Sequence, residues 1–182
     1  MQKIVTYAGK NFKLFISESE IREMVKVLAE KINNDYKHLA GEEIWLVSIL
    51  SGSFMFVADL VRRLNFDHKL EFVMIRSYEG MASRGEVEHI LELPEHVTGK
   101  HILVIEDIID TGLTVDAFME KIKDQNPASL KVCALLSKPE VNNDIIHIDY
   151  LGRDIPPAFV IGYGLDINGQ GRHLRDIYSL ET

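Results

Sequence analysis

Three carboxylates stand within a few residues of one another near the middle of the chain: Glu106, Asp107 and Asp110. The apolar run Ile102-Leu103-Val104-Ile105 precedes them, and the small-residue turn Thr111-Gly112-Leu113-Thr114 follows. Ionised carboxylates only accept hydrogen bonds, so they suit a sugar diol or a hydrated Mg²⁺. Neighbours on a regular strand face opposite ways, so Glu106 and Asp107 can address one ligand only where a strand ends and the chain curls. A solvated strand end is the plainer alternative, but two acids after four apolar residues are costly if buried without a partner. Gly112 permits a tight turn and close approach of a ligand to the backbone. The amides of Thr111 to Thr114 would then sit at a helix N-terminus, a setting that favours phosphate. Taken alone, Asp110 to Thr114 fits a simple helix cap by Asp110 or Thr111 equally well. The pattern GxxxxGK[ST] is absent, so this is not a nucleoside-triphosphate P-loop.

Elements of alternating type must position these groups. Ser17 and Glu20 are spaced as a capping box, and Ile21, Met24, Val25, Leu28 and Ile32 then form one helical stripe. Residues 44–50 form a short buried strand, which breaks at Ser51-Gly52-Ser53 into a helix whose apolar stripe is Phe54, Val57, Ala58, Val61 and Leu64. Further strands are expected at 70–75, 101–108, 130–136 and 159–163, with a helix at 114–123. Residues 77–86 form a polar, glycine-punctuated loop, and 87–93 a hairpin partner. Nearly continuous apolar strands alternating with helices predict an α/β fold: a central, mostly parallel sheet with helices on both faces. Ligands of such sheets bind beyond the carboxyl ends of the strands. Four such ends carry unusual chemistry: Leu50-Ser51-Gly52, Glu106-Asp107 with its turn, Ser137-Lys138, and Gly162 to Asp166.

The whole chain, 1–182, reads as a single domain, with no repeat or low-complexity linker. Cys133 is the only cysteine, which excludes an intrachain disulfide and fits a buried small hydrophobe in a reducing compartment. A formal net charge of −8 argues against nucleic acid as a partner. No apolar stretch approaches the ~20 residues of a membrane span, and the first residues lack the apolar core of a signal peptide. The expected location is the cytoplasm, without membrane partners.

At this point the chain resembles a known family. Val104 to Thr114, with two acids, two isoleucines and then Asp-Thr-Gly, is similar to the phosphoribosyl-pyrophosphate signature of the type I phosphoribosyltransferases, in the form typical of the hypoxanthine-guanine branch. Leu50 to Phe56 resembles that branch's first loop, Ser77-Tyr78 its lid, Leu136 to Pro139 its purine-reading strand end, and Phe159 to Asp166 with Arg172 its C-terminal base-and-metal segment. The segments span nearly the whole chain in the expected order.

The resemblance implies transfer of phosphoribose from phosphoribosyl pyrophosphate to hypoxanthine or guanine, giving IMP or GMP and diphosphate. It implies Asp110 as general base and Glu106 and Asp107 on the ribose hydroxyls, directly or through Mg²⁺. Thr111, Gly112, Leu113 and Thr114 would cradle the 5′-phosphate. Ser51, Gly52, Ser77, Tyr78 and Arg172 would bind pyrophosphate. Lys138, Phe159, Val160, Ile108 and Asp166 would form the purine site, with Asp166 also holding a second Mg²⁺. A small hood built from the chain termini, and a homodimer or homotetramer, follow from the same resemblance. An ammonium only donates, so Lys138 matches a 6-oxo and not a 6-amino purine. Outside this pattern Lys138 is an ordinary solvated lysine, Phe159 an ordinary core residue, and Arg175 competes with Arg172 for the phosphate.

The chain departs from the family in places. Ser51 stands where the first loop often carries Lys or Arg, which leaves the pyrophosphate to backbone amides. Leu113 stands where some members have Lys. Family members often have a cis peptide at the position of Leu50-Ser51. Rival readings are an aspartic protease, from Asp110-Thr111-Gly112, a non-enzymatic sugar-phosphate and RNA regulator on the same fold, and a sister transferase using xanthine or a pyrimidine. The strand-helix alternation opposes the first and the acidic charge the second; Lys138 opposes a pyrimidine, and xanthine stays open as a side substrate.

Overall fold

The computed structural model describes residues 3–77, 87–91, 93, 96–143 and 145–181. The chain begins with the hairpin β1 (Ile4–Tyr7) and β2 (Lys10–Ile16), then helix α1 (Glu18–Tyr36). Strand β3 (Ile44–Leu50), helix α2 (Phe54–Val61), and strands β4 (Lys69–Ser77), β5 (Val87–Leu91) and β6 (His101–Ile109) follow. Helix α3 (Leu113–Lys123), strand β7 (Ser129–Ser137), the single-turn helix α4 (Pro139–Asn142), and strands β8 (Tyr150–Asp154), β9 (Val160–Ile161) and β10 (Ile177–Leu180) complete it.

Among the described residues two sheets form. The large one runs β5-β4-β3-β6-β7-β8, parallel throughout except for β5, which pairs antiparallel with β4. The small one, β1-β2-β10-β9, is antiparallel and joins strands from both ends of the chain. It is the hood.

Alternation along β6 and β7 assigns side chains to two cores. Leu103, Ile105, Cys133 and Leu135 pack with α1 and α2, through Ile21, Val25, Leu28, Ile32, Phe56 and Leu60. Ile102, Val104, Val132 and Ala134 pack with α3, through Val115, Phe118, Met119 and Ile122. Both faces of the central strands are therefore apolar, as the unbroken hydrophobic runs require.

The capping box forms: the Glu20 amide donates to Ser17 Oγ, and the Ser17 amide to Glu20 Oε2 at 2.9 Å. Two expectations need correction. The buried stripe of α2 is Phe56, Val57 and Leu60, while Phe54 and Ala58 are exposed. The tight turn at 51–53 rotates the helix by more than a position-by-position reading allowed. The apolar segment 159–163 is not a strand of the parallel sheet; its β9 core pairs with β10 in the hood, because Gly162, Tyr163 and Gly164 all have left-handed φ and turn the chain away.

The hood is pinned by Asp176, which is buried. Its carboxylate accepts from Lys3 Nζ at 2.5 Å, the Glu18 amide at 2.8 Å and Tyr178 Oη at 3.1 Å. One side chain thereby ties β1's approach, the start of α1 and β10. Burial pushes the Asp176 carboxyl up, but Lys3, the Glu18 amide and Tyr178 outweigh burial and hold it below its usual value. A carboxyl with a depressed folded-state pKa stabilises the protein above its unfolded-state pKa, and the contribution is lost as pH falls through the folded value. A charged hydrogen bond is worth about 1.5–3 kcal/mol, and 1 kcal/mol moves Tm by about 2–4 °C in a chain of this size. Asp176→Asn should therefore lower Tm by about 5 °C at pH 7. The gap to the unmodified protein, followed by circular dichroism, should close as pH is taken below 3.8, the ordinary value of the group.

Candidate active site

The carboxyl ends of β3, β6 and β7 converge with the segment after β9 around one cavity of about 340 Å³. Of the residues singled out in the sequence, Ser51, Gly52, Glu106, Asp107, Ile108, Asp110, Lys138, Phe159, Val160, Asp166 and Arg172 line it. Leu50 and Leu165, from the two strand-end segments named in the sequence, line it as well, and so does Ile49, whose only signal was adjacency to a motif. Thr111, Gly112, Leu113 and Thr114 do not line it but open α3 at its edge. Gly112, with φ of 79°, caps that helix, and no side chain bonds its free amides. Capping by Asp110 or Thr111 is thereby corrected. Ser77 closes β4, and Tyr78 with the rest of the expected lid lies outside the described residues.

Close packing fixes the centre. The peptide Leu50–Ser51 is cis. Ser53 Oγ donates to the Ile49 carbonyl and lies 2.8 Å from Ser48 Oγ, both serines being fully buried. A β-carbon on Gly52 would fall 1.9 Å from Asp107 Oδ2, and one on Gly164 would fall 1.9 Å from the Gly52 carbonyl oxygen. The loop after β3 is thus held between the end of β6 and the segment after β9, and only glycines fit at the two contacts.

The acids differ in environment. Burial pushes Glu106 well above its usual pKa, with Asp107 adding to it, and Glu106 Oε2 is buried with no hydrogen-bond partner. Burial also pushes Asp107 up to about 6, against the pull of backbone amides and Arg172. Asp110 is half exposed and accepts from Lys138 Nζ at 2.8 Å. Asp166 accepts from the Gly169 amide at 2.6 Å and forms an ion pair with Arg172 Nη2 at 2.8 Å, and Arg172 Nη1 donates to the Gly164 carbonyl at 2.7 Å. Arg172 therefore braces its own segment while facing the cavity. Arg175, its competitor, sits 3.9 Å from Glu18 instead. Phe159 is 48% exposed rather than core, its ring near that of Phe12 in the hood. Taken together, the cavity offers an apolar ring face, a donor-acceptor pair at one edge, a buried acid with an unsatisfied oxygen, and loop turns on two sides.

A phosphoribosyl transferase domain model matches residues 17–168. The hypoxanthine phosphoribosyltransferase of Buchnera aphidicola is 42% identical over 163 residues, covering 89% of this chain and 92% of its own. The chain belongs to the hypoxanthine-guanine phosphoribosyltransferase family. The Aquifex aeolicus hypoxanthine-guanine phosphoribosyltransferase is 37% identical over 174 residues, covering 95% of this chain and 97% of its own. The solved hypoxanthine phosphoribosyltransferase of Trypanosoma cruzi in complex with the product IMP superposes with a TM-score of 0.88 at 39% identity, covering 97% of each chain. This phosphoribosyltransferase fold, parallel sheet plus hood, sets aside the aspartic-protease reading of Asp110-Thr111-Gly112.

The contact at Gly52 is directly testable. Forcing a methyl group against a buried carboxylate costs about 1–3 kcal/mol, so Gly52→Ala should lower Tm by about 2–10 °C in a thermal melt. Ser51→Ala, at an exposed position next door, should stay within about 2 °C.

Proposed function

We propose that this phosphoribosyltransferase joins hypoxanthine or guanine to phosphoribosyl pyrophosphate, releasing diphosphate and forming IMP or GMP. The observation that carries the substrate reading is the Lys138–Asp110 pair, one donor and one acceptor 2.8 Å apart at the edge of the cavity. A 6-oxopurine presents the matching edge: a carbonyl that accepts beside an imidazole nitrogen that carries a proton. Adenine offers a donor where Lys138 also donates, and a site built on one hydrogen bond rejects the wrong partner strongly. The relatives named for hypoxanthine and guanine, and the IMP complex of the T. cruzi enzyme, support the same substrates.

In the mechanism, the purine stacks on exposed Phe159, with Val160 and Ile108 beside it and Lys138 donating to its 6-oxo group. Its edge displaces the ion pair within the protein, so Asp110 exchanges the ammonium for the imidazole proton. The purine nitrogen bonds to C1 of the sugar as the C1–oxygen bond to diphosphate breaks, and the proton passes to Asp110. The transition state carries positive charge on the sugar, which nearby carboxylates stabilise. Glu106 and Asp107 hold the ribose hydroxyls. The uncapped amides of Thr111 to Thr114 receive the 5′-phosphate. The amides of Ser51 and Gly52 receive the diphosphate, with Arg172, Ser77 and Tyr78 around it.

Among the described residues no cluster of three or more His, Cys, Asp or Glu could hold a metal alone. A hydrated Mg²⁺ shared with substrate oxygens needs only one or two carboxylates. The orphaned Glu106 Oε2 fits such an ion, with Asp107 beside it and Asp166 across the cavity. When bound, Mg²⁺ would neutralise charge on the substrate's phosphates and hydroxyls. No helix of the described residues is long and apolar enough to cross a membrane. A cytoplasmic location is part of the same proposal. A homodimer or homotetramer belongs to the same reading and is measurable by analytical ultracentrifugation.

A panel of hypoxanthine, guanine, xanthine, adenine and uracil with phosphoribosyl pyrophosphate and Mg²⁺ should show turnover of the 6-oxopurines; adenine exceeding hypoxanthine overturns the reading. Positioned proton transfer contributes about 10²–10⁴-fold, so Asp110→Asn should lose about that much in single-turnover rate while still binding IMP. Full activity of EDTA-treated protein without added metal would remove Mg²⁺ from the account.

A further inference from the structure

We propose that Tyr163 and Asp59 form a clamp that positions the diphosphate-binding loop from outside the cavity. This rests on assigning the Ser51-Gly52 turn to diphosphate. Neither residue lines the cavity. Tyr163 lies in the segment after β9, between Gly162 and Gly164, and has φ of 51°. A bulky side chain at left-handed φ persists only where the surroundings over-determine it. Glycine would suit that backbone, and both neighbours are glycine. The tyrosine is therefore retained for its side chain.

Its ring is buried, and its hydroxyl donates to Asp59 Oδ2 on α2 at 2.7 Å. Burial and the neighbouring Asp59 carboxylate push the phenol up, so it remains a donor throughout the working range. Asp59 is itself steadied by Arg62, and its carbonyl accepts from Arg63 at 2.7 Å. The bond joins two rigid bodies. One is α2, whose N-terminal end continues directly from the turn Ser51-Gly52-Ser53. The other is the segment carrying Gly164, Leu165 and Asp166, held by the amides of Gly162, Tyr163 and Gly164.

One residue beyond Tyr163, Gly164 meets the Gly52 carbonyl so closely that no β-carbon fits. Contact at Gly52 only presses the segments together; the Tyr163–Asp59 bond is directional and sets where along the segment they meet. The amides of Ser51 and Gly52 and the Asp166–Arg172 pair then face the same region of the cavity at a fixed separation. The purine edge is read by Lys138 and Asp110, which follow β7 and β6 and lie outside the segment that this bond holds. Tyr163 and Asp59 are positioning residues, and their loss should act on one substrate.

Steady-state kinetics at a temperature well below every variant's Tm separate the possibilities. Tyr163→Phe should raise KM for phosphoribosyl pyrophosphate, and the inhibition constant of added diphosphate, by about tenfold to hundredfold, the loss of one charged hydrogen bond. KM for hypoxanthine should stay within about twofold. Asp59→Asn keeps an acceptor and should stay near the unmodified values, whereas Asp59→Leu should match Tyr163→Phe. The double variant Tyr163→Phe/Asp59→Leu should be no worse than either single change, because the two share one interaction. Unchanged KM for phosphoribosyl pyrophosphate, equal rises for both substrates, or additive effects in the double variant overturn the clamp. If Tyr163→Phe fails to fold, the Asp59→Asn and Asp59→Leu pair carries the same decision. Absence of transfer by the unmodified protein would instead overturn the substrate reading.

Discussion

Everything at the centre of this molecule depends on three chain segments touching where side chains have been removed. The Asp107 carboxylate lies against Gly52, and the Gly52 carbonyl lies against Gly164. These contacts bring the ends of β3 and β6 and the segment after β9 to one point. Parallel strands alone would leave their carboxyl ends side by side but several ångströms apart, since neighbouring strands are spaced ~4.8 Å. The glycines let loops fold over the strand ends, so that groups from strands that are not neighbours share a cavity. The buried serines at 48 and 53 fix the loop that Gly52 belongs to. The C-terminal segment can reach this point because Asp176 anchors it to Lys3 and the start of α1.

Such packing forces acids into poor solvation. Glu106 and Asp107 are both raised by burial, and one oxygen of Glu106 has no partner. A fold selected for stability alone would place leucine or alanine there, because burying a carboxyl without partners costs free energy and gains no packing. The two apolar cores on either side of β6 are extensive enough to offset that cost. Poor solvation of two adjacent acids at the end of β6 fits groups kept for a ligand.

Much of this was legible in the residues. The capping box at Ser17 and Glu20 places α1 correctly because its two bonds are local. The strand ahead of Glu106 is legible because full burial on both faces leaves an unbroken apolar run. The stripe of α2 was not, since its phase depends on how the turn at Ser51-Gly52-Ser53 delivers the first helical residue. Residues 159–163 look like one more parallel strand, for an apolar run carries no information about which sheet it joins; the hood pairing of β9 with β10 is a long-range event. The same holds for pairings of charges. Asp166 and Arg172 are separately conspicuous in sequence, yet that they meet each other, and that Arg172 also holds the Gly164 carbonyl, follows only from the left-handed turns between them. The role of Gly112 as cap is invisible for a similar reason: Asp110 and Thr111 are better capping types, and the left-handed turn that puts Gly112 at the helix start is set by the backbone.

A chain of net charge −8 that binds a substrate with three phosphates has to explain where the repulsion goes. At this cavity each acid is answered in its own way. Asp110 is paired with Lys138 and Asp166 with Arg172. Burial shifts Glu106 strongly, and Asp107 less, towards the protonated form. The cavity is therefore less negative than its composition, and on the proposed function the phosphates meet mostly backbone amides. Serine at position 51, where the family's first loop often carries a cation, fits this arrangement: fixed amide dipoles would bind phosphate without adding a charge that competes with Lys138 for Asp110 or with Arg172 for Asp166. On the proposed function, a counter-ion brought with the phosphates would stabilise the ionised form of Glu106, and the purine would replace Lys138 at Asp110, so each substrate would supply a charge or proton that the site otherwise holds for itself.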